Sequence, residues 1–377
     1  MLSTVQDTGR YGYQRFGMPT AGAMDTFALR AANALLGNDL GAAGIEATVL
    51  GPRIILLADT RIAITGANVS PTVDREPIPM WQAVSVRKGS RLEFHGPKDG
   101  MRAYLAVAGG IDVPVIMGSR STYMKAAIGG LDGRQLRSGD ILNAFGDALS
   151  ALRPVLRFPT EAIPKYGVNH ELRVVLGPQN AAFTQSGIDT FLNSTYTVSI
   201  NSDRMGYRLE GEPIEHVTGP DVISDGTPLG AIQVPGSGEP IILLADRGTT
   251  GGYTKIATVI SADISRIAQA MPGHTITFSA VSVDEAQEAH RKQEELLHSV
   301  LNESTPTAKL AVVMNDDISD ILGEDGKPLN LPISGESAAH LLNGKVRIGG
   351  TAFELQINAR RIDSTSMPDK AAIKCKE

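Results

Sequence analysis

The chain has 377 residues, 42% of them hydrophobic and 20% charged, which is ordinary globular usage and excludes disordered and fibrous classes. Its 35 Lys and Arg against 41 Asp and Glu give a net charge of -6, with no dense basic stripe to displace counterions from a nucleic acid. The single cysteine, Cys375, excludes an internal disulfide and a cysteine metal cluster, and no apolar run approaches the roughly 18 residues of a spanning helix, so a cytoplasmic protein of two or three domains is expected.

In chain order, the first helix is predicted after Asp25, a natural N-cap, running through Phe27, Leu29, Ala32 and Leu35 and stopping at Gly37. Short runs such as Arg61–Thr65, Arg102–Val107 and Leu172–Leu176, punctuated by 40 Gly and 21 Pro, read as strands. A second helix is expected over Ala262–Ala270, ending before Pro272-Gly273. A third is expected from Ser282 to Leu301, with Asp284 as its cap, leading into a linker broken at Asn302–Pro306. Beyond it, strands at Leu310–Met314 and Phe353–Ile357 flank a turn at Gly323–Gly326.

Three elements recur in the same order. Arg10-x-Gly12-Tyr13 returns as Arg204-x-Gly206-Tyr207, Ile54-Ile-Leu-Leu-Ala-Asp59 as Ile241-Ile-Leu-Leu-Ala-Asp246, and Lys88-Gly89 with its strand as Pro272-Gly273 with its own. Such an echo fits two homologous domains. The expected organisation is a first domain at 1–150, a second at 165–285, a helix and linker at 286–306, and a C-terminal extension of unknown role at 307–377.

Familiar catalytic motifs are missing. Gly323-Glu-Asp-Gly-Lys327 is too short for a phosphate loop and lacks its Ser/Thr, no Gly-x-Ser-x-Gly elbow occurs, and His170-Glu171 is not followed by a second histidine. No metal site is predicted, and Met124-Lys125 lies outside any biotin-attachment pattern.

Two polar, glycine-rich constellations remain. In residues 4–38, Asp7, Arg10 and Asp25 are candidate substrate-binding residues; the alternative is structural, with Asp25 as a cap and Arg10 in an ion pair. The second spans 201–209, 224–235 and 245–255. There Arg204 and Arg208 offer forked donors for a carboxylate, Asp225 and Asp246 a base or orienter, and Tyr207 a catalytic hydroxyl. Asn201, Gln233, Thr250, Gly251, Gly252, Tyr253 and Lys255 complete it as binding residues.

By these segments, together with Gly44-Ile-Glu46, Tyr104–Asp112 and Gly118-Ser-Arg-Ser-Thr122, the chain resembles the family of allophanate hydrolase subunit 2, KipA and the 5-oxoprolinase C subunits, related to the carboxyltransferase domain of urea carboxylase. The likeness runs from about Thr4 to Phe278; the segment after about residue 300 has no counterpart in it. The resemblance implies a mainly β fold with a few helices, as two tandem cyclophilin-like β-barrel domains plus a C-terminal extension. It also implies a KipI-like partner, of the type of the 5-oxoprolinase B subunits, and a LamB/YcsF-like third component. The implied activity is ATP-dependent opening of 5-oxoproline to glutamate by a heteromeric complex. The alternatives are biotin-dependent carboxyl transfer to urea or another amide-like acceptor, and a non-catalytic KipA-type regulator of a kinase inhibitor. The implied cofactors are ATP used by the complex, or carboxybiotin on a separate carrier, with none bound covalently here.

Overall fold

A computed structural model of the protein describes residues 2–146 and 155–304, and the backbone of two further strands, His340–Ile348 and Thr351–Ala359. The chain divides into a unit at Met1–Thr307 and a second at Ala308–Glu377, where those two strands pair antiparallel. The expected strand at Phe353–Ile357 falls within Thr351–Ala359. Leu310–Met314, the turn at 323–326 and Cys375 lie outside the described residues.

The architecture is mostly β. In the first half, five strands run in the order Leu2–Gln6, Gly44–Thr48, Asp99–Val107, Thr60–Asn68 and Ala83–Val86. Four shorter strands between Ile54 and Glu93 make a second sheet. Helix α1 (Thr26–Leu36) packs on the five-stranded sheet. Its limits are local chemistry: Asp25 accepts the Ala28 amide at 2.9 Å, and Gly37, at φ 68°, turns the chain out of the helix in the left-handed region.

The second half closes into a seven-stranded barrel, Asn169–Leu176 pairing with Lys255–Val259 on one side and, in parallel, with Thr275–Ala280 on the other. Its core is aliphatic and aromatic, including Leu172, Phe191, Tyr207, Ile232 and Ile256. Helix α2 (Gln185–Asn193), capped by Thr184, has no counterpart among the predicted elements: it is short, and its apolar face is only Ile188, Phe191 and Leu192. Helix α3 (Ile264–Ala268) follows a 3-10 turn inside the expected Ala262–Ala270 span.

The repeated hexapeptide occupies unlike places. Ile54–Ile55 pairs with Arg91–Glu93 in the smaller sheet, where Leu57 is exposed, whereas Ile241–Leu243 is a barrel strand followed by the buried residues Leu244, Ala245 and Asp246.

Helix α4 (Val283–Ser304) begins with a capping box: Ser282 Oγ accepts the Glu285 amide and Glu285 accepts the Ser282 amide. The cap is therefore Ser282 and not Asp284, which lies in the first turn, where its charge suits the helix dipole. The helix returns to the first half, burying Leu297 and Val300 among Phe27, Leu35, Trp81 and Phe158, with Arg30 and Glu294 paired alongside. Among the described residues no helix is long and apolar enough to cross a membrane.

Candidate active site

The candidate residues separate into three places. The first is a buried network between sheet and barrel. Arg204, 7% exposed, donates from Nε and Nη2 to Asp246 at 3.0 Å each, from Nη2 to the Gly22 carbonyl at 2.6 Å, and from Nη1 to Glu46. These bonds take up all but one of its N–H donors. Burial works against its charge, but Glu46 and Asp246 outweigh that and raise its proton affinity. The second oxygen of Glu46 accepts the Tyr104 hydroxyl at 2.7 Å and the Met24 amide at 2.8 Å. Tyr207 accepts from Arg102 at 2.6 Å and donates to the Ala270 carbonyl. Asp25 caps α1 and accepts from Gln269 at 2.8 Å, which places it in the same layer. Arg204, Tyr207, Asp246 and Asp25 thus hold the two halves together.

The second place is the loop around Asp7 and Arg10. Asp7 accepts from Gly9, Ser119, Ser121 and Arg120, and Arg10 donates to the carbonyls of Ile116 and Ser121 at 3.0 Å. Arg10 has no carboxylate in ion-pair contact among the described residues; carbonyls take that role. Asn201 forms a turn with Ser199, and Arg208 is exposed on the barrel strand Gly206–Glu210.

The third place draws together Asp225, Gln233, Thr250, Gly251, Gly252, Tyr253 and Lys255. Asp221–Gly226 and Thr250–Tyr253 form an antiparallel ribbon outside the barrel sheet, with an irregular register between Asp221 and Asp225. Beneath it Gln233 and Lys255 are register partners on adjacent barrel strands. Gly251 lies against Gln233: a Cβ there would come within 2.4 Å of Gln233 Nε2 and would displace that amide. Lys255 is 1% exposed, and its Nζ lies 3.2 Å from Asp225 Oδ2 without hydrogen-bond alignment to it or to any other acceptor among the described residues. Asp225 is over half exposed and is held below the usual carboxylate range by the Gly226 amide and then by Lys255. Gln179 donates to Asp225 at 3.3 Å and accepts the Lys255 amide at 2.8 Å, while His216 and Thr254 brace the strand behind.

A cavity of about 380 Å³ opens at the end of this ribbon, lined by Gln14 and Thr20 of the first half and by Gly226, Thr227, Arg247 and Thr249 of the second. Gly226 lines the cavity and directly follows Asp225, the ion-pair partner of Lys255, so the cavity adjoins the Lys255 cluster at that end of the ribbon. Its volume falls in the range of small-molecule sites. Gln179, Thr227 and Arg247 are not among the residues that the sequence singles out; Arg247 lies inside the polar segment 245–255, so composition marks the segment but not the residue.

The chain has relatives among known proteins. The family described as "Carboxyltransferase domain, subdomain A and B" matches residues 16–280. The chain is 38% identical over 299 residues to the 5-oxoprolinase C subunit of Escherichia coli, covering 78% of this chain and 93% of that protein. It is 39% identical to the 5-oxoprolinase C subunit of Haemophilus influenzae, covering 79% and 94%. The crystal structure of the K. lactis urea amidolyase superposes with a TM-score of 0.75 at 28% identity, over 96% of this chain and 22% of that one. The protein therefore belongs to the carboxyltransferase-domain family. Within it, the relatives matched over nearly their full length are the 5-oxoprolinase C subunits, whereas the chain spans about a fifth of the urea amidolyase.

Proposed function

We propose that this chain is the amide-binding subunit of a heteromeric, ATP-dependent 5-oxoprolinase-like complex, opening 5-oxoproline to glutamate. The observation that carries this reading is Lys255: its buried nitrogen has Asp225 at 3.2 Å as its ion-pair partner but no aligned acceptor among the described residues, and a ligand carbonyl oxygen would complete its hydrogen bonding. Water adding to the ring carbonyl carbon gives up a proton and places negative charge on that oxygen, which a fixed cation stabilises; the ring opens when the C–N bond breaks and the nitrogen takes a proton to become the amine of glutamate. Asp225, held ionised beside Lys255, accepts a hydrogen bond from the attacking water. The near full-length likeness to two 5-oxoprolinase C subunits supports the reaction class, and their being subunits supports partners, here a KipI-like and a LamB/YcsF-like protein. ATP chemistry is assigned to the assembled complex.

Co-expression of the three components and assay of ATP-dependent glutamate release tests the reading. Turnover is expected only from the full set, and Lys255→Met is expected to lower kcat by at least about 100-fold, as loss of an oxyanion-stabilising donor does. Full activity in that variant would remove Lys255 from the chemistry. The likeness to urea amidolyase favours a second reading, carboxyl transfer from a biotin carrier to an amide; it requires turnover that depends on a biotinylated protein.

A further inference from the structure

The cavity beside the Lys255 cluster holds a second cation in an unusual state. Arg247 is partly buried, and its guanidinium is fixed from behind: Nε donates to the Thr227 carbonyl at 2.7 Å, and Nη1 to the Leu244 carbonyl at 3.1 Å and to Thr20 Oγ1 at 3.3 Å. Among the described residues Nη2 takes no protein acceptor, and no carboxylate lies within ion-pair distance of the group. Its neighbour behaves oppositely, since Asp246 turns inward and is consumed by Arg204. Burial lowers the proton affinity of Arg247, with only Tyr11 opposing. A positioned guanidinium with an outward edge and no counter-ion is suited to an anion, and the planar fork suits a carboxylate best.

We infer that Arg247 anchors a carboxylate carried by the substrate, so that the site selects small acidic amides over uncharged ones such as urea. The inference rests on the reading above that this cavity and the Lys255 cluster form an amide site. Arg247 then holds the carboxylate in the cavity, which the Lys255 cluster adjoins through Asp225 and Gly226. Arg204 and Arg208 are left out: the first is spent on Glu46, Asp246 and Gly22, and the second is exposed on the barrel strand.

Binding to the assembled complex, measured by calorimetry, separates this inference from the reading beneath it. The probes are 5-oxo-L-proline and 2-pyrrolidinone, the same ring without the carboxylate. The wild-type complex is expected to bind 5-oxo-L-proline about 10- to 100-fold more tightly, the range for one charge-assisted interaction. Arg247→Met is expected to abolish that preference while leaving 2-pyrrolidinone binding unchanged. Arg247→Gln keeps a donor toward Thr227 and guards against loss of the fold; it is expected to reduce the preference in the same direction. A preference that survives in both variants, or wild-type binding of the two probes with equal affinity, overturns the role of Arg247 and leaves the amide site standing. Binding of neither probe by the wild-type complex overturns the amide site itself and Arg247 with it.

Discussion

Burial pushes the Asp25 carboxyl up to about 6, against hydrogen bonds from Gln269 and the Ala28 amide that pull it back. In the unfolded chain the same group sits near 3.9. A folded value above the unfolded one means that folding favours the protonated form. The contribution to stability is therefore complete below about pH 4 and is lost as pH rises through about 6, a change on the order of 3 kcal/mol. Urea unfolding at pH 4 and pH 7 is expected to show the stability advantage of wild type over Asp25→Asn shrinking by that order; a difference constant across the interval would show that Asp25 does not titrate between them. The capping role of Asp25 was legible in the sequence, because its partner is three residues away. Its bond to Gln269 spans 244 residues and left no local trace.

Among the elements, α4 shows how far sequence carries. Its existence follows from composition and from the Ser282–Glu285 box, but its polar sequence reads as a lead into a linker. The buried face, Leu297 and Val300, is narrow, and only the fold reveals that α1 receives it. Leu297→Ala is expected to cost about 2–5 kcal/mol, read as a lower calorimetric Tm, whereas the exposed Glu288→Ala is expected to stay within about 0.5 kcal/mol of wild type. The ribbon of Asp221–Gly226 and Thr250–Tyr253 teaches the converse. The density of polar and glycine residues marks them correctly as a group of neighbours, yet density could not separate Lys255, buried beneath the ribbon, from Tyr253, which is 41% exposed. That division depends on the barrel underneath.

At the scale of the whole unit, sheet and barrel are tied by buried charge. Arg204→Met would leave Glu46 and Asp246 without their cation, and such a loss is expected to cost about 3–5 kcal/mol in chemical denaturation. The same change at the exposed Arg208 is expected to cost little. A fall in turnover with Arg204 variants would therefore have to be read against their stability. The mainly β class and the barrel were legible from short strands, whereas the pairing of Arg204 with Glu46, 158 residues apart, was not.

The return of α4 to α1 also sets the order in which a growing chain can mature. Helix α1 leaves the ribosome early, yet the residues that finish covering its apolar side, Leu297 and Val300, are made more than 250 residues later. At about 5–20 residues per second that interval is on the order of tens of seconds. Throughout it the nascent N-terminal half presents an unfinished hydrophobic surface, the kind that chaperones shield and that a truncated transcript would leave permanently uncovered.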